Sequence, residues 1–156
     1  VEIAGPAGHR EVPAAEFFRG YFTTALDAGE LVVGVRLPAS SPGSTGAYAK
    51  SVRVQGDFAT ASVAATATFG AGRCTRIRIA VGGCGPTPVR LDAADALLCG
   101  STLEPGRVAE AGCLLAQACD PIDDVRGSAR HRRALVPRLL ARVVADLTAK
   151  PAERAA

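Results

Sequence analysis

The sequence predicts an α+β fold: a strand-and-loop extension, then a three-stranded antiparallel sheet packed on helices in two layers. Three observations carry this. Residues 47–54, 61–69 and 75–81 are consecutive strand-like runs, the last two joined by the glycine turn Gly70-Ala71-Gly72-Arg73. The final third repeats apolar residues at helical spacing. Between these and the first 38 residues lies Ala39-Ser40-Ser41-Pro42-Gly43-Ser44-Thr45-Gly46, the only linker-like stretch inside the chain, where we place a domain boundary.

Taken in order, residues 1–4 read as a short strand turned by Gly5-Pro6-Ala7-Gly8, with a second short strand over 10–12. Pro13 opens a helical turn through Ala14-Ala15-Glu16-Phe17-Phe18, because proline is tolerated in a first turn, and Gly20 ends it. Residues 21–28 read as a surface connection. Residues 30–38 are rich in β-branched side chains and closed by Pro38, the pattern of a strand.

Beyond the linker, 61–69 alternates small residues with threonine, which suits a half-buried antiparallel strand. Arg76 and Arg78 alternate with Ile77 and Ile79, so one face of the third strand is wet. Residues 91–98 form a helix capped by Asp92 and stopped by Gly100. Residues 105–119 form a second, with Val108, Ala111, Leu115 and Ala118 on its apolar face. From Ser128 runs the longest helix, with Val136, Leu139, Leu140, Val143 and Leu147 inward and Arg132, Arg133, Arg138 and Arg142 towards the other side. Pro137 falls inside this pattern, where it either kinks the helix or marks its first turn.

Composition bounds the partners. The chain has 156 residues and a net charge of +3, too little to imply nucleic acid, and its arginines alternate with apolar residues instead of forming a basic block. No apolar run reaches membrane-spanning length and no basic-then-apolar leader opens the chain, so the expected location is cytoplasmic. Five cysteines, at 74, 84, 99, 113 and 119, make no C-x-x-C pair, and most sit in apolar stretches as buried thiols. Methionine is absent even at position 1, so the chain reads as a fragment, a processed chain or a piece of a split protein.

No candidate for chemistry is complete. Gly82-Gly83-Cys84-Gly85-Pro86 lacks the helix N-terminus that a phosphate loop needs, since Pro86-Thr87-Pro88 follows, and it reads as a strand-ending turn. Cys84 has no base or cation nearby in sequence to activate it. His9 and His131 read as surface or packing residues. Asp120, Asp123 and Asp124 read as helix caps and an Asp–Arg pair instead of a metal site. Lys50 stands out. The only other lysine is Lys150, and a compact point charge on a strand before the Gln55-Gly56-Asp57 break is a specific choice in an arginine-rich chain.

Four stretches together resemble the flavoprotein (medium) subunit of the molybdenum hydroxylases, the xanthine dehydrogenase and carbon monoxide dehydrogenase family. They are Phe17-Phe18-Arg19-Gly20-Tyr21 with Thr24-Ala25-Leu26 and Gly29-Glu30-Leu31-Val32; Gly46-Ala47-Tyr48-Ala49-Lys50 with Gly56-Asp57-Phe58-Ala59-Thr60-Ala61; Gly85-Pro86-Thr87-Pro88-Val89-Arg90; and Asp120-Pro121 with Asp124-Val125-Arg126-Gly127-Ser128-Ala129 and Arg132-Arg133. The resemblance implies that residues 1–45 are the C-terminal remnant of an α/β FAD-binding domain and 46–150 the flavoprotein C-terminal domain, with 151–156 a tail.

It also implies an oxidoreductase component, incomplete on its own, whose FAD is shared with a missing N-terminal half. That FAD carries electrons from [2Fe–2S] clusters on an iron–sulfur small subunit to an external acceptor, the molybdopterin lying on a large subunit. Val32 and Lys50 match the family's flavin-contacting positions. A cation near the pyrimidine edge of the ring would stabilise the negative charge gathered there on reduction. The family's pyrophosphate-binding A-G-G-x-S and T-x-G-G loops do not occur in the sequence, and Phe22 stands where xanthine dehydrogenases often have arginine, which favours the carbon monoxide dehydrogenase-like branch. A non-catalytic assembly domain docking the iron–sulfur and molybdenum subunits, with vestigial flavin contact, is the alternative.

Overall fold

In a computed structural model of the chain, residues 1–54 and 56–149 are described. Gln55, and with it the centre of the Gln55-Gly56-Asp57 break, and the expected tail 151–156 lie outside them. The chain divides into two compact units, residues 1–40 and a second starting at Ser41.

The first unit is built of short strands. β1 (Glu2–Gly5) lies between β2 (Gly8–Glu11) and β5 (Leu31–Gly34), antiparallel to both. α1 is the single turn Ala14–Phe17. The helical turn expected through Phe18 stops at Phe17. Phe18–Gly20 is β3, paired with β4 (Thr23–Thr24), so the expected surface connection holds a small hairpin. Phe22, at φ 53°, supplies the left-handed residue that this tight reversal needs. The core is small: Ile3, Val12, Phe17 and Ala25. Arg10 clamps it from outside, donating to both Glu30 carboxylate oxygens at 2.7 and 2.6 Å and to the Ala25 carbonyl at 2.6 Å.

The second unit is the predicted sheet and helices. β6 (Ser44–Ser51), β7 (Ala61–Gly70) and β8 (Arg73–Gly82) form an antiparallel sheet in sequence order. Ala71 and Gly72, both at positive φ, make the two-residue hairpin loop between β7 and β8, the backbone hand that matches strand twist. Along β7 the alternation works as read: Ala61, Val63, Ala65 and Ala67 are buried, while Ala64 and Thr66 face out.

The helices α2 (Asp92–Leu98), α3 (Pro105–Ala118) and α4 (Ala129–Ala149) supply the second layer. α4 lies against β6 and β7, α2 against β8, and α3 against both other helices. Leu98, Leu115, Val136, Leu140, Val143 and Leu147 are fully buried with Val63, Ile79 and Val81. Each such side chain contributes roughly 1.5–3 kcal/mol relative to exposure. α3 and α4 meet at a glycine: a Cβ on Gly112 would lie 2.7 Å from Pro137 Cα. Pro137 sits well inside α4, so it does not mark the first turn, and its ring faces the one residue of α3 that leaves room.

The free edge of β8 is capped by the segment that follows. Asp95 of α2 accepts the Ile79 amide at 3.0 Å and Arg90 at 3.1 Å, Val89 pairs with Val81, and the Ser101 carbonyl accepts the Cys74 amide at 2.8 Å. Burial pushes the Asp95 carboxyl up from its usual value, against the pull of the Ile79 amide and Arg90.

Four details depart from the sequence reading. Asp92 is the first helical residue of α2 and Leu91 holds the cap position. Ala118 is exposed at the end of its helix. Cys74, Cys84 and Cys119 are buried as expected, but Cys99 and Cys113 are exposed. Arg132, expected on the outer side of α4, is 5% exposed and belongs to the interior.

Candidate functional site at the turn after β6

Lys50 occupies the last part of β6, opposite Ser62 of β7, on the open face of the sheet. One residue later the ladder ends at Ser51–Ala61, and the Thr60 amide donates to the Ser51 carbonyl at 2.8 Å, closing the loop at its base. Gly56, at φ 91°, turns the chain. The Lys50 ammonium reaches across this loop and donates to the Asp57 carbonyl at 3.1 Å, leaving further donor capacity towards solvent. The following residue, Phe58, is 79% exposed.

A second layer of contacts fixes the turn from below. The Asp57 carboxylate accepts the Phe58 amide at 2.7 Å and pairs with Arg126 at 3.5 Å. The Arg126 guanidinium lies over the Phe58 ring, 5.3 Å from its centroid, a cation–π contact. Beneath these, Arg132 acts as a buckle. Its guanidinium donates to the Thr60 carbonyl at 2.5 Å, the Gly83 carbonyl at 2.9 Å and Asp124 Oδ1 at 2.5 Å. It thereby joins three segments: the end of the Lys50 turn, the turn after β8 and the entry to α4. Asp124 also accepts the Arg126 amide, and that bond with the Arg132 pair holds its carboxyl below the usual carboxylate range.

The acidic run before α4 does what its position implies. Asp123 accepts the Ala129 amide at 2.5 Å and Ser128 the His131 amide at 3.2 Å, capping the helix, while Asp124 holds Arg132. Among the described residues no group of three or more His, Cys, Asp or Glu could hold a metal. Gly82-Gly83-Cys84-Gly85-Pro86 closes β8 with no helix directly behind it; α2 begins only at Asp92. His9 and His131 are both exposed.

Of the two residues singled out as flavin contacts, Lys50 stands in the second unit on this turn. Val32 stands in the first, in β5 opposite Ile3, 43% exposed with Leu31 and Val33 exposed beside it. Phe58, Arg126 and Arg132 escaped the sequence reading. The signal for Arg132 was present: it precedes Val136 by four residues and so lies on the same helical stripe as Val136, Leu139 and Val143. Cys84 is not isolated from cations either, because α4 brings Arg132 and Arg133 to it from distant sequence.

The chain as a whole is similar to known proteins. Residues 46–147 match the family model described as CO dehydrogenase flavoprotein C-terminal domain, and residues 1–40 the one described as FAD binding domain in molybdopterin dehydrogenase. The chain is 33% identical to the carbon monoxide dehydrogenase medium chain of Afipia carboxidovorans, over 92% of its own length and 50% of that protein. It is 34% identical to the nicotine 6-hydroxylase medium subunit of Paenarthrobacter nicotinovorans, over 96% of its length and 52% of that protein.

Among solved structures, carbon monoxide dehydrogenase from Hydrogenophaga pseudoflava superposes with a TM-score of 0.87 at 35% identity, covering 95% of this chain and 52% of that one. The chain thus spans about half the length of these relatives. With a family model over most of its residues and the same sheet-and-helix architecture in a solved relative, the chain belongs to the CO dehydrogenase flavoprotein family.

Proposed function

We propose that this chain is the C-terminal portion of the FAD-binding medium subunit of a molybdenum hydroxylase. In this reading it is an oxidoreductase component that passes electrons from [2Fe–2S] clusters on an iron–sulfur small subunit, through FAD, to an external acceptor. The molybdopterin belongs to a large subunit, and the remaining half of the FAD domain completes the flavin site. The observation that carries this is the Lys50 turn: an exposed lysine and an exposed aromatic ring, held by a buried arginine, in a chain that matches both flavoprotein models.

The residues suit part of FAD and not the whole of it. Lys50 offers a cation with donors to spare, which fits the pyrimidine edge of an isoalloxazine. Phe58 offers an apolar face beside it, and Val32 in β5 a second apolar contact. The glycine turn at Gly127 stands just before α4, but Asp123 and Ser128 already take the Ala129 and His131 amides there, and a carboxylate sits where a pyrophosphate would have to lie. The chain therefore completes a flavin site without anchoring the cofactor.

FAD, when bound, supplies the electron-accepting ring. Lys50 supplies a fixed positive charge that favours the reduced, more negative form and so raises its potential. Asp57 aims the lysine through its carbonyl, and Arg132 keeps the loop that carries both in place. All five cysteines are free thiols, which fits a reducing cytoplasmic setting. No helix among the described residues is long and apolar enough to cross a membrane.

A second reading, an assembly domain with vestigial flavin contact, draws on the exposed Arg130, Arg138 and Arg142 along the outer face of α4, a surface for acidic partner subunits. One experiment separates the two. In the complex reconstituted with its partner subunits, Lys50→Ala should lower the flavin midpoint potential and slow turnover with the acceptor while assembly proceeds. Unchanged potential and turnover would leave only the assembly reading.

A further inference from the structure

The helices cover one face of the β6–β7–β8 sheet and leave the other open. On that open face the register stacks two rungs, Gly46–Thr66–Arg78 and Tyr48–Ala64–Ala80. Residues opposite one another across the strands share a face, and the next rung on that face lies two residues along. Between Tyr48 on β6 and Arg78 on β8 the floor therefore includes Gly46, Ala64 and Ala80, none of which raises more than a methyl group. The outer strands stand roughly 10 Å apart across β7, wide enough for a flat ring. The result is an apolar cleft of about 490 Å³, with Tyr48 on one side and Arg78 and Arg90 on the other. That is the size of a small-molecule site.

The charge of this face has one sign. The three strands contain no Asp or Glu, and the acids that reach the two arginines come from α2. Arg90 is committed, pairing at 3.1 Å with Asp95, whose side chain is 11% exposed. Arg78 is not. Among the described residues its one ion pair is with Asp92 at 4.0 Å, and the same Asp92 oxygen lies 3.6 Å from Arg90. Neither contact is short enough for a hydrogen bond, and the Asp92 side chain is 92% exposed. Two guanidinium groups thus converge on a carboxylate that stands in water and does not use their donors. Asp92 marks the place of an anion without filling it. A carboxylate or phosphate of longer reach takes two parallel hydrogen bonds from such a guanidinium.

We propose that this cleft binds a small planar organic anion, an aromatic carboxylate or an aryl phosphate. Its flat body lies over Gly46, Ala64 and Ala80 against the Tyr48 ring, and its acid group displaces Asp92 from Arg78 and Arg90. The apolar lining supplies most of the contact, and the arginines supply the orientation and the preference for charge. A neutral ring of the same shape gains the first without the second. Asp92 acts as an internal competitor for the arginines, so removing its charge favours the ligand. The site belongs to the sheet of the second unit and stands whether or not the chain meets a flavin.

The test titrates the full, isotope-labelled chain with benzoate, phenyl phosphate and the neutral benzamide, following backbone amide shifts. The two anions should saturate and move the amides of residues 46–48, 64–66 and 78–80, and the tighter of them identifies the acid group. Benzamide should bind about tenfold more weakly, the worth of one charge-assisted hydrogen-bonded contact. Arg78→Gln should weaken benzoate by a similar factor; this side chain is 51% exposed, so the fold tolerates the change. Asp92→Asn should tighten benzoate about threefold, as loss of an exposed competing pair implies, a sign that loss of structure does not produce. Anions that do not saturate, benzamide that binds as well as benzoate, or an Asp92→Asn variant that binds no better would each overturn the proposal. So would Lys50→Ala weakening benzoate as much as Arg78→Gln does, because the anion would then sit on Lys50.

Discussion

The two units solve the problem of burying apolar side chains to very different degrees. In the second, twenty-three buried residues from sheet and helices join in one core. In the first, four do, while Leu31, Val33, Val35 and Leu37 stand 56–82% exposed on and after β5. A strand with successive apolar residues on both faces is the pattern of a sheet covered on both sides, so the first unit carries the sequence of a larger sheet than its own residues build. Its order rests more on polar contacts, above all the Arg10–Glu30 pair, than on a core. The second unit is held by its core and adds internal polar devices, Arg132 and Asp95.

That contrast breaks first at Arg132. Arg132→Met fits the buried stem but leaves the Thr60 and Gly83 carbonyls and Asp124 without their donor. Leaving the buried Thr60 carbonyl without its donor costs roughly 1–3 kcal/mol, the Asp124 end of the contact being exposed to water. Hydrogen exchange should accelerate throughout β6, β7 and α4 while β1 and β2 keep their rates. A loss confined to the Lys50 turn would show that the buckle positions that turn and does little for the core.

The next largest effect tests the helix layer. Gly112→Ala drives a methyl to within 2.9 Å of the Pro137 ring as well as its Cα, and neither atom can swing away. Overpacking of this kind costs about 1–3 kcal/mol. The urea midpoint of the second unit should fall, and Pro137→Ala in the same chain should not restore it, because alanine keeps both the Cα and the Cβ that the methyl meets. Full recovery in that double variant would mean that the ring beyond Cβ, and not these two atoms, sets the approach of the helices.

How much of this the sequence showed follows the same divide. The sheet order, the β7 alternation and the apolar stripe of α4 were legible because they are local periodicities that a large core then enforces. Lys50 was legible as an oddity of composition. Its surroundings were not, because Arg126 and Arg132 come from some 70 residues further on and no periodicity links them to Asp57 or Thr60. In the first unit, the β3–β4 hairpin was missed for the opposite reason: Phe18-Arg19-Gly20 and Thr23-Thr24 are too short to show any period. Cys84 looked inert in sequence because its cations arrive on a different element.

The smallest expected effect distinguishes the units by acid. Glu30 is held down to about 2 from 4.5, first by its hydrogen bonds from Arg10, then by the Asp27 amide that donates to it at 2.7 Å. A carboxyl depressed in the folded state contributes stability that is fully present above its unfolded value and is lost as the pH falls towards its folded one. The first unit should therefore loosen progressively between about pH 4.5 and 2. Asp124 is depressed too, so the second unit loses the charge of one Arg132 partner over the acid range, but the two backbone carbonyls that share this arginine do not titrate. Protection factors at residues 2–11 and 31–34 should thus fall at a higher pH than those in β7, and Glu30→Gln should make the first unit's protection nearly independent of pH in that window. Loosening of both units together would mean that the polar clamp is not what holds the first one.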